Sequence, residues 1–145
     1  MQMDSGMDTG AILYQKSEPI VPGMTQSDLL HRLATVGAES LIEVLDHLSS
    51  YQASARQQPS EGVTYAAKIT KEHARIDWTV SAEAVVRHVC AYHGAPMAFT
   101  DFNSERVRVA GARVLTLAEP HGLPPGSVIS VSPAAVCVAC GEGGV

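Results

Sequence analysis

Residues 6–14 read Gly6-Met7-Asp8-Thr9-Gly10-Ala11-Ile12-Leu13-Tyr14, two glycines bracketing an acid ahead of a short apolar run. Nothing in the first five is periodic, and glycine accepts backbone angles closed to other residues. Such a segment predicts a tight loop able to hold the Asp8 carboxylate in a fixed direction. Ala11–Tyr14 then predicts a short strand, ended by the turn-forming Pro19-Ile20-Val21-Pro22-Gly23. Thr25 followed three residues later by Asp28 has the pattern of a helix capping box, with Asp in place of the usual Glu. Behind it Leu30, Leu33, Gly37, Leu41, Val44, Leu45 and Leu48 recur at helical spacing. One long helix, or two joined near Gly37, is expected over 26–50. Gly37 lies on the apolar stripe, where a missing side chain would let a neighbouring element approach closely.

Working outward, residues 51–62 (YQASARQQPSEG) are small and polar, as expected of a linker. Ser81 is placed to cap a second helix whose Val85, Val86, Val89 and Cys90 face inward. From Met97 the pattern becomes β: strands are expected over Met97–Phe102 and Arg106–Leu117, joined by a tight hairpin at Asn103-Ser104-Glu105. Two more follow over Ser127–Val131 and Ala135–Cys140. Short strands at this spacing suggest a small barrel or sandwich. The chain stops at Gly143-Gly144-Val145, where a further strand is expected and none begins.

The 145 residues carry a net charge of −5, which argues against coating nucleic acid through bulk charge. That charge is uneven. Residues 1–65 hold three bases against eight acids, whereas residues 66–145 hold seven of each, which hints at a boundary near position 65. No apolar run approaches the roughly 18 residues needed to cross a bilayer, and MQMDSGMDTG does not resemble a signal peptide. A reducing cytoplasm is the expected compartment, and Cys90, Cys137 and Cys140 form no secreted-type disulfide framework.

Two blocks together carry a resemblance. Residues 1–10 with the strand and helix after them resemble the end of the catalytic domain of the methionyl-tRNA formyltransferase family. Tyr65, Lys68, Lys71-Glu72 and Arg75-Ile76-Asp77-Trp78 resemble that family's segment between its two domains, and Cys140-Gly141-Glu142-Gly143 looks like its late barrel hairpin. The resemblance implies a fold of α/β plus β: the C-terminal strand–helix piece of a Rossmann-like formyltransferase domain (residues 1–50), an interdomain linker (51–80), and an incomplete OB-fold-like, tRNA-binding barrel domain (81–145). It also implies the activity, transfer of the formyl group of 10-formyltetrahydrofolate to the amino group of methionyl-initiator-tRNA in translation initiation. The implied setting is a cytoplasmic enzyme, a monomer when complete, without a metal, a membrane or DNA as partner.

In that family an Asn and a His act with an Asp in the glycine-bracketed loop. Asp8 matches the Asp, with Gly6 and Gly10 supporting its loop. A carboxylate in that place would orient the imidazole and stabilise its charge while a tetrahedral intermediate forms and collapses. The family's Asn and His lie upstream of this loop, and its last barrel strands lie beyond the final residue here. The expectation is therefore a fragment, inactive alone. Near position 93 the family tends to carry Asn-Pro where this chain has His93-Gly94.

Lys68, Lys71 and Arg75, with Arg106, Arg108 and Arg113 on the strands, are candidate contacts to tRNA phosphates. The competing expectation is a solvated face balanced by Glu72, Asp77 and Glu105. Trp78 is expected to anchor packing rather than to stack on a base. Asp8-Thr9-Gly10 is also the triplet of aspartic proteases, but those need two carboxylates sharing a proton, so a chain with one motif would have to dimerise. Cys137 and Cys140 lie three apart in an expected strand and so on opposite faces, which disfavours a shared metal and favours buried thiols. The histidines are scattered, with His31, His47, His73 and His88 expected at the surface. Two alternatives stay open: another folate-dependent formyltransferase, such as one acting on sugar nucleotides, and a non-catalytic RNA-binding or relic module.

Overall fold

A computed structural model describes residues 1–116 and 121–145. It divides into two compact units. One comprises Met1–Ile20 with Leu30–Lys68, the other Val21–Leu29 with Ile69–Val145.

The helix α1 runs Gln26–Asp46 without interruption, and α2 follows over Leu48–Ala53. Its start is the expected reciprocal cap. The Thr25 amide donates to Asp28 Oδ2 at 3.1 Å, and the Asp28 amide donates to Thr25 Oγ1 at 3.2 Å. The helix passes through Gly37, whose missing side chain faces open space, so no element approaches it among the described residues. Among the described residues most of the apolar stripe is exposed. Leu30, Leu41, Ile42 and Leu45 are each 58–62% exposed, and no residue of α1 is buried.

In the first unit, the run expected as a strand makes an isolated antiparallel bridge. Ile12 and Arg56 exchange both backbone hydrogen bonds, at 2.7 and 3.0 Å. Tyr14 packs edge-on against Tyr51, ring centres 5.7 Å apart. The polar stretch at 51–62 thus supplies both a helical end and a pairing partner for residues around 12.

The second unit holds the hydrophobic core. After a 3-10 turn at Glu72–Ala74, helix α3 (Ala82–Ala91) starts at Ser81, whose Oγ accepts from the Ala84 amide. Val85 and Val89 are almost fully buried and join Ile76, Ala82, Ala98 and Cys140, with Trp78, Tyr92, Val109, Ala112 and Val145 packed around them. Cys90 and Val86 are half-buried.

Four short strands follow in two separate antiparallel pairs: β1 (Phe99–Phe102) with β2 (Glu105–Arg108), and β3 (Val128–Val131) with β4 (Val136–Val138). The first hairpin turns at Asn103 and Ser104, with φ of 49° and 65°. Left-handed angles at both central residues match the right-handed twist of the strands, and Asn tolerates them best among residues with side chains. β2 is shorter than the run from Arg106 predicts. Leu115 reappears in an isolated bridge, and the end of that run at Leu117 lies outside the described residues.

The last two residues do take part in pairing. Gly144 bridges both Leu115 and Ala139, while Val145 and Val138 exchange hydrogen bonds at 2.8 and 2.9 Å. Between the two hairpins lies a groove of about 920 Å³ with mostly apolar walls, among them Trp78, Val107, Val109, Val128 and Val138. The architecture is a mixed helix-and-sheet domain with small strand pairs, and the described strands do not close on one another.

Candidate functional site

The loop bearing Asp8 is held by short-range bonds that explain its composition. Asp4 Oδ1 accepts from the Gly6 amide at 2.9 Å and from Thr9 Oγ1 at 2.7 Å. These bonds, the Thr9 hydroxyl first, hold the Asp4 carboxyl below its ordinary range. Gly6 is required by close approach, because a side-chain carbon there would sit 2.2 Å from Thr9 Oγ1. Gly10 is more constrained still: a Cβ would lie 1.6 Å from the Gln2 carbonyl oxygen, while the Gln2 amide donates to the Ala11 carbonyl at 2.8 Å. The loop therefore folds back on the first residues of the chain.

Asp8 itself is exposed and has φ of 55°. Its backbone, not its carboxylate, is tethered. Gln58 Nε2 donates to the carbonyls of Asp8 at 2.7 Å and Gly10 at 2.8 Å, reaching across about 50 residues of sequence. Gln58 was not a candidate from sequence, since it lies in a stretch whose composition signals only a linker. Among the described residues the Asp8 carboxylate has no hydrogen-bonding partner, so it projects from a tethered backbone into solvent.

The basic candidates fall into four environments. Lys68 belongs to the first unit, and the other five to the second. Arg75 and Arg106 converge: Arg75 Nη2 donates to Asp101 Oδ2, and Arg106 Nε lies 3.8 Å from Asp101 Oδ1. Both guanidiniums also lie over the ring of Phe99, at 5.6 and 3.8 Å from its centre. Arg108 and Arg113 are exposed on the wall of the apolar groove, and Lys71 is exposed at the start of the 3-10 turn.

Trp78 is half-buried, its indole N–H donating to Thr100 Oγ1 at 3.0 Å, so it packs as expected. Asp77 Oδ1 accepts from both the hydroxyl and the amide of Thr79, and these bonds hold its carboxyl below the ordinary range. Cys140 is buried and Cys137 half-buried. Burial first, and then the charge of Glu83, pushes the Cys140 thiol up, which keeps it protonated and unreactive. Among the described residues no cluster of three or more His, Cys, Asp or Glu could hold a metal ion, and no helix is long and apolar enough to cross a membrane. His88 departs from the surface expectation: its Nε2 is buried and has no hydrogen-bond partner among the described residues.

Residues 68–145 match the model of the family described as formyl transferase, C-terminal domain. The chain belongs to that family. The family's segment begins at Lys68, the first residue of the basic block, and takes in the Trp78 turn, α3, both hairpins and the tail. Similarity extends further upstream. The methionyl-tRNA formyltransferase of Chromohalobacter salexigens is 41% identical over 144 residues, covering 99% of this chain and 44% of that protein. That of Stenotrophomonas maltophilia R551-3 is 42% identical over 144 residues, covering 99% of this chain and 46% of its own length. The chain thus spans somewhat less than half the length of these relatives. Among solved structures, a multiply substituted variant of HypX from Aquifex aeolicus superposes with a TM-score of 0.64 at 21% identity, covering 98% of this chain and 25% of that one. At that identity the likeness speaks for the fold.

Proposed function

We propose that this chain forms part of a methionyl-tRNA formyltransferase, in which residues 1–50 complete a Rossmann-like catalytic domain, 51–80 connect, and 81–145 belong to an OB-fold-like domain that holds the tRNA. The whole protein passes the formyl group of 10-formyltetrahydrofolate to the amino group of methionyl-initiator-tRNA. It works in the cytoplasm as a monomer. The observation that carries this is the similarity to methionyl-tRNA formyltransferases that runs for 144 residues of this chain, from the Asp8 loop through the formyl transferase C-terminal domain.

Asp8 serves by orienting and charge-stabilising an imidazole supplied from outside these residues, so that the imidazole can move a proton as the amine attacks the formyl carbon. Gly6 and Gly10 let the loop fold tightly enough to aim that carboxylate. These 145 residues contain one asparagine, Asn103, and it serves the β1–β2 turn. Lys68, Lys71, Arg75, Arg106, Arg108 and Arg113 contact tRNA phosphates, with an affinity that falls as salt rises.

The test joins the upstream part of the Chromohalobacter salexigens enzyme to this chain and follows formylation of methionyl-tRNA. The chimera is expected to be active, the 145 residues alone inactive, and Asp8→Asn in the chimera slower by about 100-fold or more. Formylation by the 145 residues alone, or an undiminished rate in the Asp8→Asn chimera, overturns the proposal.

A further inference from the structure

Two cations share one anion at the second unit's first hairpin. Asp101 and Arg106 are direct cross-strand partners, and Arg75 is brought alongside by the bridge between its own backbone and Phe99, where the Ile76 amide donates to the Phe99 carbonyl at 2.8 Å. Each oxygen of Asp101 faces a different guanidinium. The ring of Phe99, 3% exposed, forms the floor beneath both arginines. A guanidinium carries five N–H donors in a rigid fork, so one carboxylate leaves most of the ten donors free to face solvent. Side-chain exposures of 53% for Arg75 and 48% for Arg106 keep them accessible, while Asp101, at 33%, is the most enclosed of the three.

An exposed ion pair contributes little stability, roughly 0–1 kcal/mol. Fold stability is therefore a weak reason to gather two arginines and one aspartate over an aromatic floor. The arrangement has the features of an anion seat: two planar forks aimed at one point, a net charge of +1, and an apolar base that limits hydration and holds the forks by cation–π contact.

We propose that Arg75 and Arg106 form a seat for one RNA backbone phosphate, and that Asp101 is its internal occupant, holding the two guanidiniums in the free protein and yielding them when RNA binds. The proposal rests on the reading of the basic residues as RNA contacts and adds that binding there is competitive with Asp101. Its consequence has a sign opposite to that of an ordinary structural residue. Neutralising Asp101 leaves the seat at +2, and the gain is one further ionic contact with RNA. With a dependence on salt of about −0.8 in log–log slope per contact, that contact is worth about tenfold in affinity at about 50 mM salt and about fourfold at about 200 mM.

The experiment measures fluorescence anisotropy of a 5′-fluorescein-labelled RNA hairpin, carrying a seven-base-pair stem and a single-stranded 3′ end, titrated with the full 145-residue chain at several salt concentrations. Asp101→Asn keeps an amide oxygen as acceptor for Arg75, and Asp101→Ala is a second variant with the same expected gain. Emission from Trp78, which is bonded to Thr100 of the same hairpin, verifies that the hairpin is intact. Both Asp101 variants are expected to bind more tightly, with a slope steeper by about one contact. Arg75→Gln and Arg106→Gln are expected to bind more weakly, with a slope shallower by about one. RNA binding by the native chain with no tightening in either Asp101 variant overturns the seat and leaves the general RNA reading standing. No salt-dependent binding by the native chain or by any variant overturns both.

Discussion

Alanine at Gly141 is a demanding test of how the second unit is assembled. An ideal Cβ on Gly141 would lie 1.9 Å from the Thr79 carbonyl oxygen, 2.7 Å from its carbon and 3.3 Å from the Val80 oxygen. Such a contact cannot close below about 3 Å, so the Thr79–Val80 peptide must retreat by about 1 Å. It is held against doing so. The Gly141 amide donates to both Trp78 and Val80 carbonyls at 2.9 Å, and the Ala82 amide donates to Glu142 at 2.8 Å. Thr79 is fixed in turn by Asp77. Retreat therefore combines an overpacking cost of about 2 kcal/mol with the loss of roughly one net hydrogen bond, about 1 kcal/mol. The expected destabilisation is about 3 kcal/mol, a large share of the 5–15 kcal/mol that holds a domain together. Trp78 is the only tryptophan, and its carbonyl is one of the acceptors, so urea denaturation followed by its emission reads the affected segment directly. With a urea slope of about 2 kcal/mol per molar, the midpoint should fall by about 1.5 M. A change below about 1 kcal/mol would refute the idea that this backbone crossing is rigid.

Three further outcomes follow from other contacts. Gln58→Ala removes two bonds to the Asp8 loop, worth about 1 kcal/mol in net stability, so cleavage within residues 4–9 by a non-specific protease should quicken about fivefold; an unchanged rate means that the loop does not depend on Gln58. Asp77, whose carboxyl is held low by Thr79, contributes stability that is present above the unfolded-state pKa and lost as pH falls through the lowered one. Denaturation midpoints measured downward from pH 5 should thus fall, and Asp77→Asn should remove that component of the slope. His88→Phe retains a ring against Tyr92, 4.6 Å away, and deletes the unpartnered Nε2, so the midpoint should stay level or rise; a loss above about 1 kcal/mol would show that this nitrogen has a partner after all.

Features set by residues close in sequence were legible in advance. The Thr25–Asp28 cap, the Ser81 cap, the Asn103-Ser104 turn and the inward Val85 and Val89 each depend on spacing of four residues or fewer, and backbone geometry leaves little freedom there. The bonds of Asp4 to Gly6 and Thr9 are of the same short-range kind. What escaped was long-range. Gln58 reaching the Asp8 loop, Arg75 meeting Asp101 and the tail returning to Leu115 span 26 to 50 residues. A polar side chain's remote partner leaves no period in sequence. The sequence offers Glu72, Asp77 and Glu105 as balancing acids, but Asp77 is engaged by Thr79, and Asp101 balances the hairpin arginines because strand register places it opposite Arg106. The helix α1 was legible as an element but its surroundings were not: a leucine stripe signals a need for cover without naming what covers it.

The φ of 55° at Asp8 carries a warning for anyone who scans this loop by substitution. Residues with a β-carbon pay for left-handed geometry, and asparagine, aspartate and glycine pay least. An alanine there would confound two losses, the charge and the backbone preference. A glycine would relax the chain while deleting the anion. Only the isosteric amide separates chemistry from conformation, so kinetic comparisons at this position are interpretable through one substitution alone.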